Sequence, residues 1–474
     1  MNRATRYLAL LLCLAPILSW GQGSIKRVAV PSESLEIVKS LGLEPDHGSS
    51  ETELVLSVTS EQMQKLREKD VVLRVLRSSR RSSHLRTIGK AEWDENRTDR
   101  LVPQRSYLTY ELYEYIMTGL PERFPDICQL EEIGSLPSGR RILALKITDQ
   151  PDCEEAEPKF LYTATMHGDE LAGYPLMLLL IEELLLGYER DPYIRQMVDQ
   201  TEIWINPLAN PDGAYAGGNH QVDGATRRNA QGVDLNRNFP DPDDGEHPDG
   251  HDHQLETLHF MDLHGRVSFD MSCNLHSGAE VFNYPWDTYN QKHPDDEWWR
   301  HIGRQFASLM QEGDYKPRYF RQLENGITNG YKWYPITGGR QDYVTYYHHG
   351  REITLEVEGR KDLPASRIPE LWETTKPGFL KLIAQSGYGL RGIVTDAQTG
   401  RPIQARIHIP GHDRLHSEVY TKLPTGRYHR YLKAGRYTFE FSAPGYATQQ
   451  IEAHIKDGEA TWLNVEMEPS GQTR

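Results

Sequence analysis

Two hydrophobic patterns divide the chain near Gly387. Before it, apolar runs of strand length alternate with longer segments of helical character. Residues 160–165 (Phe-Leu-Tyr-Thr-Ala-Thr) are rich in aromatic and β-branched side chains and predict a strand. Residues 171–186 are apolar almost throughout, broken only by Glu182 and Glu183, and predict a buried helix. Further strands are expected at 128–133 and 141–147, joined by the Ser135-Leu136-Pro137-Ser138-Gly139 hairpin turn, and at 202–206, 268–276 and 351–357. Helices are expected at 107–117, 255–263, 297–311 and 368–385. Strands alternating with helices imply an α/β domain with a mixed β-sheet flanked by helices, assigned to residues 105–386. Beyond Gly387 the period is two, at 391–395, 405–409, 436–441 and 461–466, with no helical pattern. Residues 387–469 therefore predict a small all-β sandwich.

The N-terminal part repeats the α/β theme on a small scale. Strands are expected at 26–30, 53–58 and 71–76, and helices at 32–41 and 61–69, the second opened by a Thr59/Gln62 capping box. We assign residues 22–76 to this unit, which is small enough to be marginal alone. Residues 77–104 begin with Arg77-Ser78-Ser79-Arg80-Arg81-Ser82-Ser83 and read as an exposed linker. At the start, Arg3 and Arg6 precede an apolar run ending near Leu18, followed by Ser19-Trp20-Gly21. That is the pattern of a cleaved signal peptide over residues 1–21, so a secreted or periplasmic location is expected. The run is short for a membrane span.

With 474 residues, 38% hydrophobic and 26% charged, the chain suits a soluble protein of several domains. A net charge of −15 argues against general nucleic-acid binding. Removal of the signal segment, which holds Cys13, leaves three cysteines of the four, an odd number that cannot form a complete internal disulfide set. Cys128 and Cys153 are a candidate pair, and Cys273 sits in an apolar run as a buried thiol.

The chemistry gathers around Met166-His167-Gly168-Asp169-Glu170. His167 and Glu170 stand at i, i+3 on a strand-to-helix turn, where their side chains can meet at one point. Imidazole and carboxylate are ordinary zinc ligands, though a surface His beside a helix-capping acid has the same pattern. Three other stretches bear on this turn. Asn274-Leu275-His276 puts a His at a strand end. Thr226-Arg227-Arg228-Asn229 leads to Asn236-Arg237-Asn238-Phe239. Thr354-Leu355-Glu356-Val357 places an acid inside an apolar strand, where an acid needs a partner.

In these phrases the sequence resembles the zinc metallocarboxypeptidases, and within them the regulatory N/E subfamily. The likeness runs in order through His167-Gly168-Asp169-Glu170, residues 206–213 (Asn-Pro-Leu-Ala-Asn-Pro-Asp-Gly), residues 229–241, Asn274-Leu275-His276, residues 326–331 and residues 352–356. The β-region after Gly389 resembles that subfamily's transthyretin-like module. The resemblance implies that His167, Glu170 and His276 bind one Zn2+, and that Glu356 is the general base. It implies that Arg227 holds the oxyanion, and that Asn236 and Arg237 grip the free C-terminal carboxylate of a peptide or protein substrate. Asp287, eleven residues after His276, matches an acid that pairs with a C-terminal Lys or Arg.

The family's covering tyrosine falls at Thr345 by direct counting from Asp342, with Tyr346 or Tyr343 as neighbours able to replace it; Tyr346 is the expected one. The N-terminal unit matches the prodomain of the digestive branch in size and order only. Residues 241–253 hold five Asp, three His and a Glu and read as a solvated loop, with a second metal such as calcium as the other reading. Two functions compete with peptide carboxypeptidase: a cell-wall peptide hydrolase on the same fold, and a non-catalytic binding protein. The presence of the three ligands and Glu356 speaks against the latter.

Overall fold

The computed structural model describes residues 26–41, 43, 45, 52–76, 85–96 and 98–470. The signal segment and the Arg80-Arg81 pair lie outside them. The chain separates into two compact units, residues 1–78 and 79–474.

In the first unit, β1 (Lys26–Pro31) pairs antiparallel with β2 (Glu53–Val58) and with β3 (Arg74–Val75). Helices α1 (Leu35–Ser40) and α2 (Ser60–Glu68) complete it. Thr59 and Gln62 form the expected capping box. Val28, Val30, Leu54, Leu56, Met63 and Leu66 make the core.

The second unit begins earlier than the sequence suggests. Part of the expected linker is folded: β4 (Thr87–Ile88) pairs with β5 (Tyr107–Leu108), and α3 (Lys90–Asn96) buries Trp93. Leu101 and Val102 enter the main core, and their N–H groups donate to the buried Glu182 carboxylate. The polar composition of the stretch hid the few apolar residues that anchor it.

Helix α4 (Tyr110–Arg123) leads into the hairpin β6 (Cys128–Ser135) and β7 (Arg141–Ile147). Then come β8 (Lys159–Ala164), α5 (Gly173–Gly187), α6 (Pro192–Val198), β9 (Glu202–Asn206), the single turn α7 (Pro211–Ala214) and α8 (Leu255–Val267). The domain continues with β10 (Met271–His276), β11 (Glu280–Tyr284), α9 (Asp296–Glu312), the turn α10 (Leu323–Gly326), β12 (Ile327–Asn329) and the turn α11 (Gly330–Trp333). Helix α12 (Arg340–Tyr347), β13 (Arg351–Val357) and α13 (Ile368–Ser386) complete it.

The strands form one eight-stranded sheet in the order β12-β11-β13-β10-β8-β9-β7-β6. Its middle, β13-β10-β8-β9, is parallel, and antiparallel pairings flank it. Those four central strands are buried along their whole length, which is why they read as continuous apolar runs. Helix α5 packs directly on them. A Cβ at Gly173 would come within 2.9 Å of Ala164 and 3.1 Å of Leu275, so glycine allows the close approach. The three cysteines among the described residues are free: Cys128 is buried on β6 and Cys153 is exposed, so the expected pairing does not form, while Cys273 is buried as expected.

Residues 389–467 form the sandwich. Its strands are β14 (Gly389–Asp396), β15 (Arg406–His408), β16 (Val419–Tyr420), β17 (Arg427–Arg430), β18 (Gly435–Ser442), β19 (Gln449–Ile455), β20 (Ala460–Trp462) and β21 (Val465–Met467). One sheet is β17-β14-β20 with β21 also on β14; the other is β16-β15-β18-β19. Strand β17 was not expected, because Arg427-Tyr428-His429-Arg430 has no apolar alternation. Its arginines are buried against acids instead, two of them, Asp270 and Asp295, in the catalytic domain. Arg427 pairs with Asp270, and Arg430 donates to Asp295 at 2.6 Å and to Asp413 at 2.6 Å. Asp295 also accepts from Arg351, the first residue of β13, at 3.0 Å, and lies 2.8 Å from His412 Nε2.

Replacing Asp295 with Ala leaves two buried guanidinium groups without their shared acid. A loss of about 3–5 kcal/mol of unfolding free energy is expected. Equilibrium denaturation of the Asp295→Ala protein measures it, and a change under 1 kcal/mol would contradict this account.

Candidate metal centre and active site

The site lies at the carboxyl ends of β8, β10 and β13, where ligands bind in open α/β sheets. After Ala164 the chain turns sharply at Thr165, whose φ is +62°. Asn210 pins this turn to the next: its amide donates to Met166 O at 3.1 Å, and its Oδ1 accepts from Gly213 N at 2.8 Å. A Cβ on Gly168 would sit 2.2 Å from the Gly213 carbonyl carbon, so only glycine permits the packing. This places His167 and Glu170 beside His276, the last residue of β10.

The three side chains converge. His167 Nδ1 and His276 Nδ1 are 3.1 Å apart. Glu170 Oε1 is 3.1 Å from His167 Nδ1, and Oε2 is 2.9 Å from His276 Nδ1. All three are buried. His167 Nε2 faces Asp234 Oδ1 at 3.0 Å, which holds a proton on Nε2 and leaves the Nδ1 lone pair aimed inward. The Asn274 carboxamide lies 2.8 Å from His276 Nε2. Two imidazole nitrogens and a carboxylate, buried and pointed at one spot, fit a zinc ion. Lys361 Nζ stands 3.1 Å from Glu170 Oε1 and adds positive charge beside this ligand.

Glu356 lies next to His276 in the β10–β13 register and is fully buried. Burial first, and the Glu170 charge second, push its carboxyl up to about 7. A cation bound beside it would draw that value down.

Asp234 ties Arg227, His167 and the Asn236 turn together. It accepts from Arg227 Nε at 2.8 Å, from His167, and from Asn236 N at 3.0 Å, which starts a single 3-10 turn, Leu235–Arg237. Burial works against its charge, but Arg227 and His167 outweigh burial and hold it well below the usual carboxylate range. Arg227 Nη1 reaches 3.2 Å from Glu170 Oε1 and 3.1 Å from His167 Nδ1. Asn236 Oδ1 accepts from Arg340 N at 3.0 Å, and Arg237 Nη1 donates to Asn236 O at 2.7 Å.

Asp287 is buried close by. A Cβ on Gly339 would lie 3.5 Å from Asp287 Oδ2 and 3.8 Å from Asn236 Oδ1, so the two groups flank one small gap. A Cβ on Gly330 would overlap Asp287 Oδ1 at 1.7 Å. Burial raises the Asp287 carboxyl, against its bond from Asn283 and the pull of Arg237. Asp342 holds the turn by accepting from Asp287 N at 2.9 Å and Thr288 N at 2.8 Å.

Tyr346 is not brought to the site. Its ring stacks on His416 of the sandwich at 4.1 Å and 11°. Tyr343 packs on Phe239, with its hydroxyl 2.9 Å from His348 Nε2, and Thr345 is buried. The tyrosine near the site is Tyr334: burial raises its hydroxyl, and the charges acting on it include Arg237, Glu356, Arg227 and Asp287. Counting forward from Asp342 runs along α12, which carries Tyr346 to His416 of the sandwich. Tyr334 follows the short turn α11 and has no periodic signal. Asp234 was visible as the acid two residues before Asn236, an N-cap position.

Among the described residues, no three acids or histidines of 241–253 lie close enough together to share a metal. Asp241 there is structural, accepting from Thr288 Oγ1 at 3.1 Å and from Gly338 N at 3.0 Å.

A mixed sheet carrying a buried His–Glu–His centre, with an acid beside it and arginines around it, defines a metallopeptidase-type site. The chain belongs to the zinc carboxypeptidase family: residues 113–378 match the model described as "Zinc carboxypeptidase", and residues 389–468 match that of the "Carboxypeptidase regulatory-like domain". It is 34% identical over 362 residues to Carboxypeptidase M of Mus musculus, covering 72% of this chain and 79% of that one. It is 32% identical over 375 residues to Carboxypeptidase SOL1 of Arabidopsis thaliana, covering 77% and 73%. The fold is similar to that of the carboxypeptidase A from Helicoverpa armigera, with a TM-score of 0.59 at 18% identity, covering 76% of this chain and 98% of that one. The protein is a zinc metallocarboxypeptidase, and its substrates are peptides with free C-termini. No described helix is long and apolar enough to cross a membrane.

Proposed function

We propose that this enzyme removes C-terminal Lys or Arg from peptides or proteins outside the cytoplasm, with His167, Glu170 and His276 as the zinc ligands. The observation that carries the residue preference is the buried Asp287 carboxylate across Gly339 from Asn236, within the electrostatic reach of Arg237. Arg237 and Asn236 bind the terminal carboxylate. The last side chain then points toward Asp287. A Lys or Arg neutralises that acid, whereas an apolar side chain leaves it buried and unpaired, which is costly.

His167, Glu170 and His276 would hold the zinc, which would supply Lewis acidity toward a carbonyl and a water. Glu356 accepts the proton from the attacking water and delivers it to the departing amine. Arg227 stabilises the oxyanion, and Asp234 fixes its position. Tyr334 covers the bound residue. The N-terminal signal pattern supports the extracytoplasmic location. The unit at residues 22–76 is proposed as a prodomain-like module.

Peptides differing only in a final Arg or Phe test the preference. The wild type is expected to favour Arg by at least tenfold in kcat/KM, and Asp287→Ala to lose most of that ratio. Equal values on the wild type, or an Arg preference that survives the substitution, would sink the assignment.

A further inference from the structure

A second cavity, of about 480 Å³, opens between the catalytic domain and the β-sandwich. None of its lining residues belongs to the zinc site. Its walls come from the loop before β8, from α6 and the residues just after it, from the end of α13, and from β14 and β20.

Three features make it more than a crevice. The first is Arg391, which is 8% exposed. Its Nε has no hydrogen-bond partner, and Nη1 has a long 3.4 Å bond to Gly387 O. Its guanidinium stacks 4.2 Å from the ring centroid of Trp462, and it has no carboxylate in ion-pair range among the described residues. The second is acidic. Glu155 and Glu157 line the same cavity and cluster with Asp149, all within 4.8 Å of one another. Glu157 accepts from Thr148 and Glu155 from Gln150, but neither has a cationic partner in range among the described residues. Burial and the neighbouring acids raise both carboxyls, Glu157 to about 8. The third is the rim, where Trp462 is 61% exposed and Tyr193 48% exposed. Large aromatics left open at a mouth are suited to covering a ligand's apolar stem.

Among the described residues Arg391 has no acid, and the glutamates no base, within ion-pair range; they face one cavity, and Glu157 acts on Arg391 only through its charge at longer range. We propose that this cavity is a binding site for a small molecule with a carboxylate at one end and a cation at the other, joined by a short apolar stem: a free basic amino acid. The carboxylate meets Arg391 and the cationic group meets Glu155 and Glu157. Tyr193 and Trp462 flank the stem. On the Lys/Arg reading above, the released product is such a molecule; the site itself does not rest on that reading.

The test is calorimetric titration of the intact zinc enzyme with L-arginine, agmatine (no carboxylate) and L-norleucine (no side-chain cation). The Glu155→Gln/Glu157→Gln protein is compared with wild type, and Arg391→Gln serves as a second variant. The expected result is that the double variant binds one L-arginine fewer than wild type, with kcat/KM on a peptide unchanged. Agmatine and norleucine are expected to bind the lost site at least tenfold more weakly than arginine. If the Lys/Arg reading fails, the counts fall from two and one to one and none, and the difference remains. An equal count in both proteins, or a site that takes all three probes alike, would overturn the proposal.

Discussion

Glu356→Gln is expected to fold, to bind one zinc per chain, and to lose roughly 10²- to 10⁴-fold in kcat. Glutamine keeps the shape of the buried side chain next to His276 but cannot accept a proton. Zinc content by atomic absorption separates this from loss of the metal. Retention of more than a tenth of wild-type turnover would exclude Glu356 as the base. The same residue is expected to set the acid limb of the pH profile. A base works only when ionised, and burial with the Glu170 charge raises Glu356 to about 7. Activity is therefore expected to fall as pH drops, with a midpoint at or below 7 because a bound cation pulls the value down. The Glu356→Gln protein should show no such limb in its residual rate.

Amidation of the substrate's C-terminus is expected to remove most of the activity. Arg237 and Asn236 sit on one 3-10 turn capped by Asp234, so their geometry is set before substrate arrives. Each bond to the terminal carboxylate contributes on the order of 1.5–3 kcal/mol, and two of them correspond to roughly 10²- to 10⁴-fold in kcat/KM. A peptide acid and its amide, compared on wild type and on Arg237→Lys, give the measurement. The acid should lose rate on Arg237→Lys, because ammonium cannot reproduce the fork on the carboxylate. An enzyme that cleaves the amide as well as the acid would not use this pair.

Much of this was legible from residue order alone. The apolar runs identified the central strands because those strands are buried on both faces. His167, Glu170, His276 and Glu356 stood out because each is a polar residue at or near the end of such a run. The edges were harder. Strands β11 and β12 were missed, and β12 has only three residues. Leu101 and Val102 are core residues inside a polar stretch. Strand β17 shows no alternation because its arginines are neutralised by Asp413 and by Asp270 and Asp295, the last two far off in the catalytic domain.

The sequence by itself determined the mixed α/β sheet, the following β-sandwich and the ligand-type residues, because burial and spacing along one strand or turn are local properties. Which tyrosine approaches the site, where the buried arginines find their acids, and that Cys128 and Cys153 stay apart were decided only by tertiary structure. Those outcomes depend on how separate segments pack, as when α12 turns Tyr346 onto His416 and the turn before it leaves Tyr334 near Arg237. The cavity between the two folds belongs to the same class. Arg391 and Glu157 are 234 positions apart and acquire a shared meaning only where the sandwich meets the catalytic domain.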